Sequence, residues 1–180
     1  MKLKISSLVL AGIMLYISYG LISGQAETGF FIQEDSEIIL LKEKQMNTMN
    51  DIATLSIALI DYVKDHGVPP EQDGSYDEES KFYQELISSY LEIVPIKDAW
   101  GNDFQVFCGQ AANGKYGIKG CTSNDFVVVS FGRDGKMENW KYNEENPAKG
   151  YYTIKSADDF DKDLIMWNGS WIRAPQLIEQ

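Results

Sequence analysis

The side chains best suited to chemistry are carboxylates in the last quarter of the chain. Asp159, Asp161 and Asp163 have the spacing that opens an EF-hand calcium loop. The match fails further on, because Leu164 stands where that loop needs glycine and Ser170 where it needs glutamate. An EF-hand is therefore excluded, and a solvated acidic face is the simplest interpretation of these residues.

Catalysis has little support from the sequence. Paired carboxylates could act as acid and base in a glycosidase, but no flanking sequence would raise the pKa of one of them. The single histidine, His66, falls in the last turn of a predicted helix, where it interacts with the carbonyl end of that helix. No serine and aspartate can be arranged around it as a triad. We therefore predict that the protein is not an enzyme.

Cys108 and Cys121 are the only cysteines, and a glycine-rich loop separates them. In an oxidising compartment the pair would join, and closing a loop of this size contributes about 3 kcal/mol in the chain-entropy account. A metal site needs more ligands than two thiols, and none cluster nearby. The sequence therefore predicts a structural disulfide between these two residues.

The charge balance excludes one class of partner. The chain carries 16 Lys and Arg against 27 Asp and Glu, for a formal net charge of −11. An acidic surface repels phosphate backbones, so nucleic acid is not expected as a partner. The balance suits a soluble exported protein or one that collects divalent cations.

The N-terminus has the layout of an export signal. Two lysines precede an apolar run, Ile5–Ile22, and small residues at 24–26 offer a cleavage site. The run approaches the ~20 residues that span a bilayer, so it could also remain as an anchor. We predict a signal peptide or membrane anchor in residues 1–26 and one globular domain in residues 27–180. The expected location is the periplasm or the inner membrane, with secretion as an alternative.

Helical periodicity begins near residue 36 and continues to residue 64, after a segment at 28–37 without clear periodicity. The predicted helix ends at Gly67, and Pro69 bars its continuation. One apolar stripe should lie on the rest of the fold. Its members are Ile39, Met46, Met49, Ile52, Leu55, Leu59, Tyr62 and Val63.

The rest of the chain favours an α+β domain. A short second helix is predicted over residues 82–90, followed by antiparallel neighbouring strands at 104–107 and 126–131 and a third strand at 151–154. Between them, Trp100-Gly101-Asn102 and Arg133-Asp134-Gly135 are turn sequences. An acidic loop is expected to follow the third strand.

These segments occur in an order that resembles a known family. Pro95 to Phe104, with Asp-Ala-Trp-Gly-Asn at its centre, resembles the Pro-x-Asp-x-Trp-Gly-Asn-Pro-Tyr hallmark of the major pseudopilin of the type II secretion system, a relative of type IV pilins. Ser130 to Lys136 is similar to its Ser-Leu-Gly-Ala-Asp-Gly-Lys segment, and Asp163 to Asn168 approximates a final Asp-Ile-x-x-Trp-Asn. The resemblance covers residues 40–168 and does not include the N-terminal pilin motif.

The resemblance implies a fold, a metal and a role. The fold would be a long N-terminal helix packed on a small antiparallel β-sheet, with a C-terminal acidic loop. A Ca²⁺ ion would be held by Asp134 and Asp163, with Asp161 close by and the Phe131 carbonyl as a backbone ligand.

The role that the resemblance implies is that of a structural component which contacts other protein subunits in a secretion or pilus-like assembly. The alternative is a free periplasmic or secreted binding protein on the same scaffold. Its contact surface would be the aromatic-rich insertion at residues 139–152, which lies between the Asp-Gly turn and the acidic run.

Overall fold

The computed structural model describes the backbone of residues 7–176 and the side chains of residues 36–176. The chain divides into two compact units, Met1–Leu40 and Leu41–Gln180. Among the described residues, no helix combines the length and the apolar character needed to cross a membrane. The side chains of the apolar run Ile5–Ile22 and of the predicted boundary after residue 26 lie outside the described residues. The signal peptide or membrane anchor therefore stays a prediction.

Helix α1 spans Ser7–His66, so its predicted start near residue 36 is wrong. Main-chain hydrogen bonds need no amphipathic pattern, and the first proline in the chain is Pro69, so the missing periodicity at 28–37 does not break the helix. The predicted end is confirmed. Gly67 has a φ of 83°, and its N–H donates to the Val63 carbonyl at 2.8 Å.

The buried face of α1 differs in part from the predicted stripe. Met49, Ile52, Leu55 and Leu59 are buried as expected. Ile39 and Met46 are not, with 63% and 41% of their surface exposed. Their places on the buried side are taken by polar residues that a hydrophobic pattern cannot reveal: Gln45, Thr48 and Ser56.

A six-stranded sheet forms the centre of the second unit. Its strands are β1 (Asp73–Gly74), β2 (Gln105–Cys108), β3 (Phe126–Ser130), β4 (Tyr151–Tyr152), β5 (Leu164–Trp167) and β6 (Ser170–Pro175). Their order across the sheet is β1-β2-β3-β5-β6-β4. Neighbouring strands are antiparallel except β4, which is parallel to β6. Helix α2 (Lys81–Ile87) lies between β1 and β2 along the chain. Its N-cap is Ser80, whose side chain accepts a hydrogen bond from the Tyr83 N–H.

The predicted fold class, a pseudopilin-like α+β domain with a small antiparallel sheet and a C-terminal acidic loop, is wrong. A long helix does pack on a sheet, but the sheet has six strands and is mixed. The predicted acidic loop contains a 3₁₀ helix, Ala157–Asp161, and the residues after it pair into the sheet as β5 and β6. The turn between them, Asn168-Gly169, has φ values of 48° and 79°, as a two-residue hairpin requires. That Asn-Gly pair was the sequence signal for the hairpin.

The sheet is covered on both faces. Phe126 and Val128 of β3 pack into the cluster that contains the buried face of α1, while Val127 and Val129 pack into a second cluster. The cover over the second face includes Tyr116 and other residues from the segment between the cysteines. Burial on both faces explains why β3 is an unbroken apolar run instead of an alternating one.

Candidate functional site

The segment 98–103, here called the corner, is organised by one buried carboxylate. Asp98 is 5% exposed, and its Oδ1 accepts hydrogen bonds from the Trp100 N–H at 3.0 Å and the Asn102 N–H at 2.8 Å. The Asp98 N–H in turn donates to the Asn102 carbonyl at 2.8 Å. Burial raises the pKa of the Asp98 carboxyl, although the hydrogen bonds that it accepts from Trp100 and Asn102 act in the opposite direction. The side chain thus serves as the internal cap of the corner.

The corner is joined to the turn at residues 130–136, and the pair is called the corner–turn junction below. The Ser130 hydroxyl donates to Asp98 Oδ2 at 2.7 Å and accepts from the Gly132 N–H at 3.1 Å. The side-chain amide nitrogen of Asn102 donates to the Gly132 carbonyl at 2.8 Å. The side-chain oxygen of Asn102 lies so close to Gly135 that no side chain would fit there. The two turn motifs recognised in the sequence therefore hold each other.

Helix α1 provides the support for this junction. The Thr48 hydroxyl, which is fully buried, accepts a hydrogen bond from the Ala99 N–H at 3.1 Å. A buried N–H is costly without a partner, so a threonine on the helix fixes the position of the corner. No sequence signal pointed to Thr48, because a polar residue on a predicted apolar face is easily taken as its edge.

The other side of the turn packs against residues 160–162. A Cβ atom at Gly132, where φ is 65°, would lie 2.7–2.8 Å from the carbonyl oxygens of Phe160, Asp161 and Lys162. Only glycine fits this close approach. The Arg133 N–H donates to the Phe160 carbonyl at 2.8 Å. The acidic run is therefore anchored to the turn by main-chain contacts.

Arg133 forms the principal ion pair between these segments. Its Nε and one terminal nitrogen donate to the two oxygens of Asp161 at 2.6 and 3.0 Å, which is the bidentate geometry of strong arginine–carboxylate pairs. Asp158 lies 3.6 Å from the same terminal nitrogen. The hydrogen bond to Asp161 and the nearby acidic charges raise the pKa of Arg133. The sequence analysis placed Arg133 in a turn but did not predict this ion pair.

Asp163 lies in a separate, fully buried position. Its Oδ2 accepts hydrogen bonds from the Tyr116 hydroxyl and, at 2.9 Å, from the Glu138 N–H. Its Oδ1 has no hydrogen-bond partner among the described residues. Burial raises the pKa of Asp163 to about 6 against the lowering effect of the two hydrogen bonds. Nothing in the sequence pointed to Tyr116, which reaches Asp163 from a backbone with a φ of 50°.

An ion pair next to Asp163 was also not predicted from the sequence. Arg173 is buried, and its Nε and one terminal nitrogen donate to the Glu138 carboxylate at 3.0 and 2.6 Å. Its guanidinium also lies over the rings of Trp140 and Tyr152, 5.2 and 5.0 Å from their centroids. Two aromatic residues of the insertion, Trp140 and Tyr152, therefore pack against Arg173.

The three predicted metal ligands do not converge on one point. Asp161 is engaged by Arg133, Asp163 is turned towards Tyr116 and Glu138, and Asp134 is exposed and accepts from the Lys136 N–H at 3.0 Å. In residues 36–176 no group of three or more His, Cys, Asp or Glu side chains is placed to hold a metal ion. Calcium takes six to eight oxygen ligands, and the one free oxygen of Asp163 supplies a single donor. The donor set does not fit the Ca²⁺ ion that the resemblance implies.

The two cysteines lie in different apolar clusters. Both are free and buried, Cys108 beside the residues that face α1 and Cys121 in the cluster on the opposite face of the sheet. Burial raises the pKa of Cys108 to about 12, and a thiol that stays protonated is a poor nucleophile. The disulfide stays a prediction, and a catalytic cysteine is not supported.

The disulfide prediction has a direct check. If the bond forms in the protein purified from an oxidising compartment, neither thiol of the unfolded, unreduced chain should react with maleimide. The mass after labelling should then equal that of the unlabelled chain, and prior reduction should add two labels. Two labels without reduction would contradict the disulfide and favour the free thiols seen in the structure.

Among residues 36–176, His66 contacts aromatic rings. It is exposed at the end of α1, where its ring stacks on Tyr62 at 4.2 Å between centroids and lies 6.4 Å from Tyr90. The two tyrosine hydroxyls donate to Glu85 and Asp65. The arrangement is an aromatic cluster at a helix end, in agreement with a structural role for the histidine.

No protein-family model, curated protein or solved structure matches this chain. The family resemblance therefore depends on the motifs themselves and on what their residues do in the fold.

Proposed function

We propose that this protein is an exported, non-catalytic structural component of a machinery related to type II secretion or pilus assembly, and that it acts through contacts with other protein subunits. The observation that carries the proposal is the corner–turn junction. Asp98, Asn102 and Ser130, which belong to the motifs of the resemblance, are committed to hydrogen bonds with one another or with Gly132. The motifs thus build a scaffold instead of a reaction centre.

The ionisable groups support the same conclusion. Asp98 serves as a cap, Asp161 as an ion-pair partner and Asp163 as a buried acceptor. An acid–base pair would need two groups directed at one substrate position. These three side chains are directed at the protein instead, which favours a component that works by contact.

The alternative, a free binding protein that uses the insertion at 139–152, receives less support. Tyr152 is buried, and Trp140 and Tyr142 are partly buried against the second apolar cluster. Tyr151 is 40% exposed, but its hydroxyl donates to the Trp171 carbonyl at 2.9 Å. The aromatic side chains of the insertion therefore mostly stabilise its own packing, and we do not propose it as a contact surface.

N-terminal sequencing of the mature protein, together with its sedimentation, tests the proposal. A subunit held at the inner membrane should keep the apolar run Ile5–Ile22 and should sediment with the envelope in a complex larger than its own 20.4 kDa. A start near Glu27, combined with a monomer in the soluble fraction, would contradict the proposal and favour the free binding protein. A start at Gly29 or Phe30 with assembly would indicate pilin-type processing instead of retention of the run.

A further inference from the structure

A positively charged side chain stands among the oxygens that a divalent cation would use. The guanidinium of Arg133 lies between Asp161 and Asp158, and Asp134 is the next residue along the chain. Carboxylates and carbonyl groups are the ligands that calcium prefers. We propose that Arg133 is the resident cation of this loop, and that the folded chain takes no Ca²⁺ at Asp134, Asp161 and Asp163. This inference is independent of the proposed function.

The side-chain geometry gives the first argument. Both oxygens of Asp161 face Arg133, at 2.6 and 3.0 Å, so an ion could bind this carboxylate only by displacing the guanidinium. The pair is about 30% exposed on each side, and it is therefore partly shielded from water. A planar fork that meets a carboxylate with two parallel hydrogen bonds is held in position more firmly than a single charge.

The main chain gives the second argument. The carbonyl oxygens of residues 160–162 are packed against the backbone of Gly132, where even a methyl group would collide with them. The Phe160 carbonyl also accepts the Arg133 N–H at 2.8 Å. An ion that took these oxygens as ligands would have to separate the turn from the acidic run. The contact that a metal would make by bridging the two segments is made here by the chain itself.

The position of Asp163 gives the third argument. Its carboxylate is fully buried and accepts hydrogen bonds from the Tyr116 hydroxyl and the Glu138 N–H. Asp161, by contrast, bonds to Arg133. The two aspartates therefore serve different neighbours and do not chelate a common ion.

Thermal unfolding of the full chain in EDTA, in millimolar Ca²⁺ and in millimolar Mg²⁺ tests the inference. The melting temperature of the wild type should be the same in all three. Arg133→Gln should lower it by about 2–4 °C or more, since this shift corresponds to the loss of about 1 kcal/mol in a chain of this size. Lys136→Gln is the matched control, because it removes a positive charge from the same turn at a side chain that is 81% exposed.

A double-mutant cycle distinguishes the ion pair from a general loss of charge. Arg133→Gln combined with Asp161→Asn should be less destabilised than the sum of the two single variants, because each single change leaves the other partner uncompensated. A rise in the wild-type melting temperature with Ca²⁺ but not with Mg²⁺ would overturn the inference, even if Arg133→Gln failed to fold. So would an Arg133→Gln variant as stable as Lys136→Gln, or strictly additive effects in the cycle.

Discussion

Replacing Asp98 by alanine should lower the free energy of unfolding by about 3 kcal/mol or more. The substitution removes the acceptor of the Trp100 and Asn102 N–H groups and of the Ser130 hydroxyl. Each buried donor left without a partner costs roughly 1–3 kcal/mol. Urea unfolding followed by tryptophan fluorescence would measure the loss, because Trp100 lies within the corner.

Two further variants separate the hydrogen bonds from the charge at this position. Asp98→Asn keeps one oxygen for the two N–H groups and should be less damaging than alanine, since the Ser130 hydroxyl can accept from the new amide. Asp103→Ala removes an exposed carboxylate of the same corner, which pairs with Lys97 at 2.5 Å, and should cost less than about 1 kcal/mol. Equal stability of the alanine variants at positions 98 and 103 would contradict the capping role of Asp98.

The second large effect is a loss of stability as the pH rises through the range in which Asp163 ionises. The folded-state pKa of Asp163 is about 6, above the ordinary value of 3.8 that applies to the unfolded chain. The folded protein therefore holds a proton that the unfolded chain has already released. The contribution of Asp163 to the free energy of unfolding is fully present below about pH 4 and is lost by about pH 6–7. At 1.36 kcal/mol for each unit of pKa difference, the total loss is about 3 kcal/mol.

The measurement is the free energy of unfolding of the wild type and of Asp163→Asn between about pH 4 and pH 7. The free energy of unfolding of the wild type minus that of Asp163→Asn should fall as the pH rises. Asparagine cannot ionise, and it keeps an oxygen for Tyr116 and Glu138, so only the wild type loses stability through this site. Glu144→Gln, at an exposed position, is the matched control. Parallel curves for the wild type and Asp163→Asn would contradict the buried ionisation.

Tyr116→Phe provides an independent check of the same site. The Tyr116 hydroxyl stabilises the ionised carboxylate, so its removal should raise the pKa of Asp163 further and shift the pH-dependent loss to higher pH. A purely steric role for Tyr116 would lower stability equally at every pH. The direction of the shift therefore distinguishes an electrostatic contact from packing.

The sequence was sufficient wherever a local rule governs the structure. Gly67 followed by Pro69 determined the end of α1, because the left-handed cap and the missing N–H are properties of those residues themselves. The pairing of β2 with β3 was also predicted correctly, and the structure confirms it with Val106 opposite Val128. The turn character of Trp100-Gly101-Asn102 and Arg133-Asp134-Gly135 needed no more than the conformational freedom of Gly, Asn and Asp.

Other local signals were present and were misjudged. The Asn168-Gly169 pair marks a two-residue hairpin, yet no strands were predicted on either side of it, where β5 and β6 form. The third strand was predicted over 151–154, whereas β4 spans Tyr151–Tyr152 only. Short strands gain their stability from their neighbours in the sheet, so their limits are poorly determined by their own residues.

What only the tertiary structure decided is which side chains meet. By itself, the sequence determined where α1 ends and where the turns at 100–102 and 133–135 fall, since these depend on the backbone preferences of single residues. It could not reveal that Arg133 pairs with Asp161, that Tyr116 reaches Asp163 across 47 residues, or that Asp98 binds Ser130. Desolvation and hydrogen bonding between distant segments set the charge state of a carboxylate, and both arise only once the segments have packed.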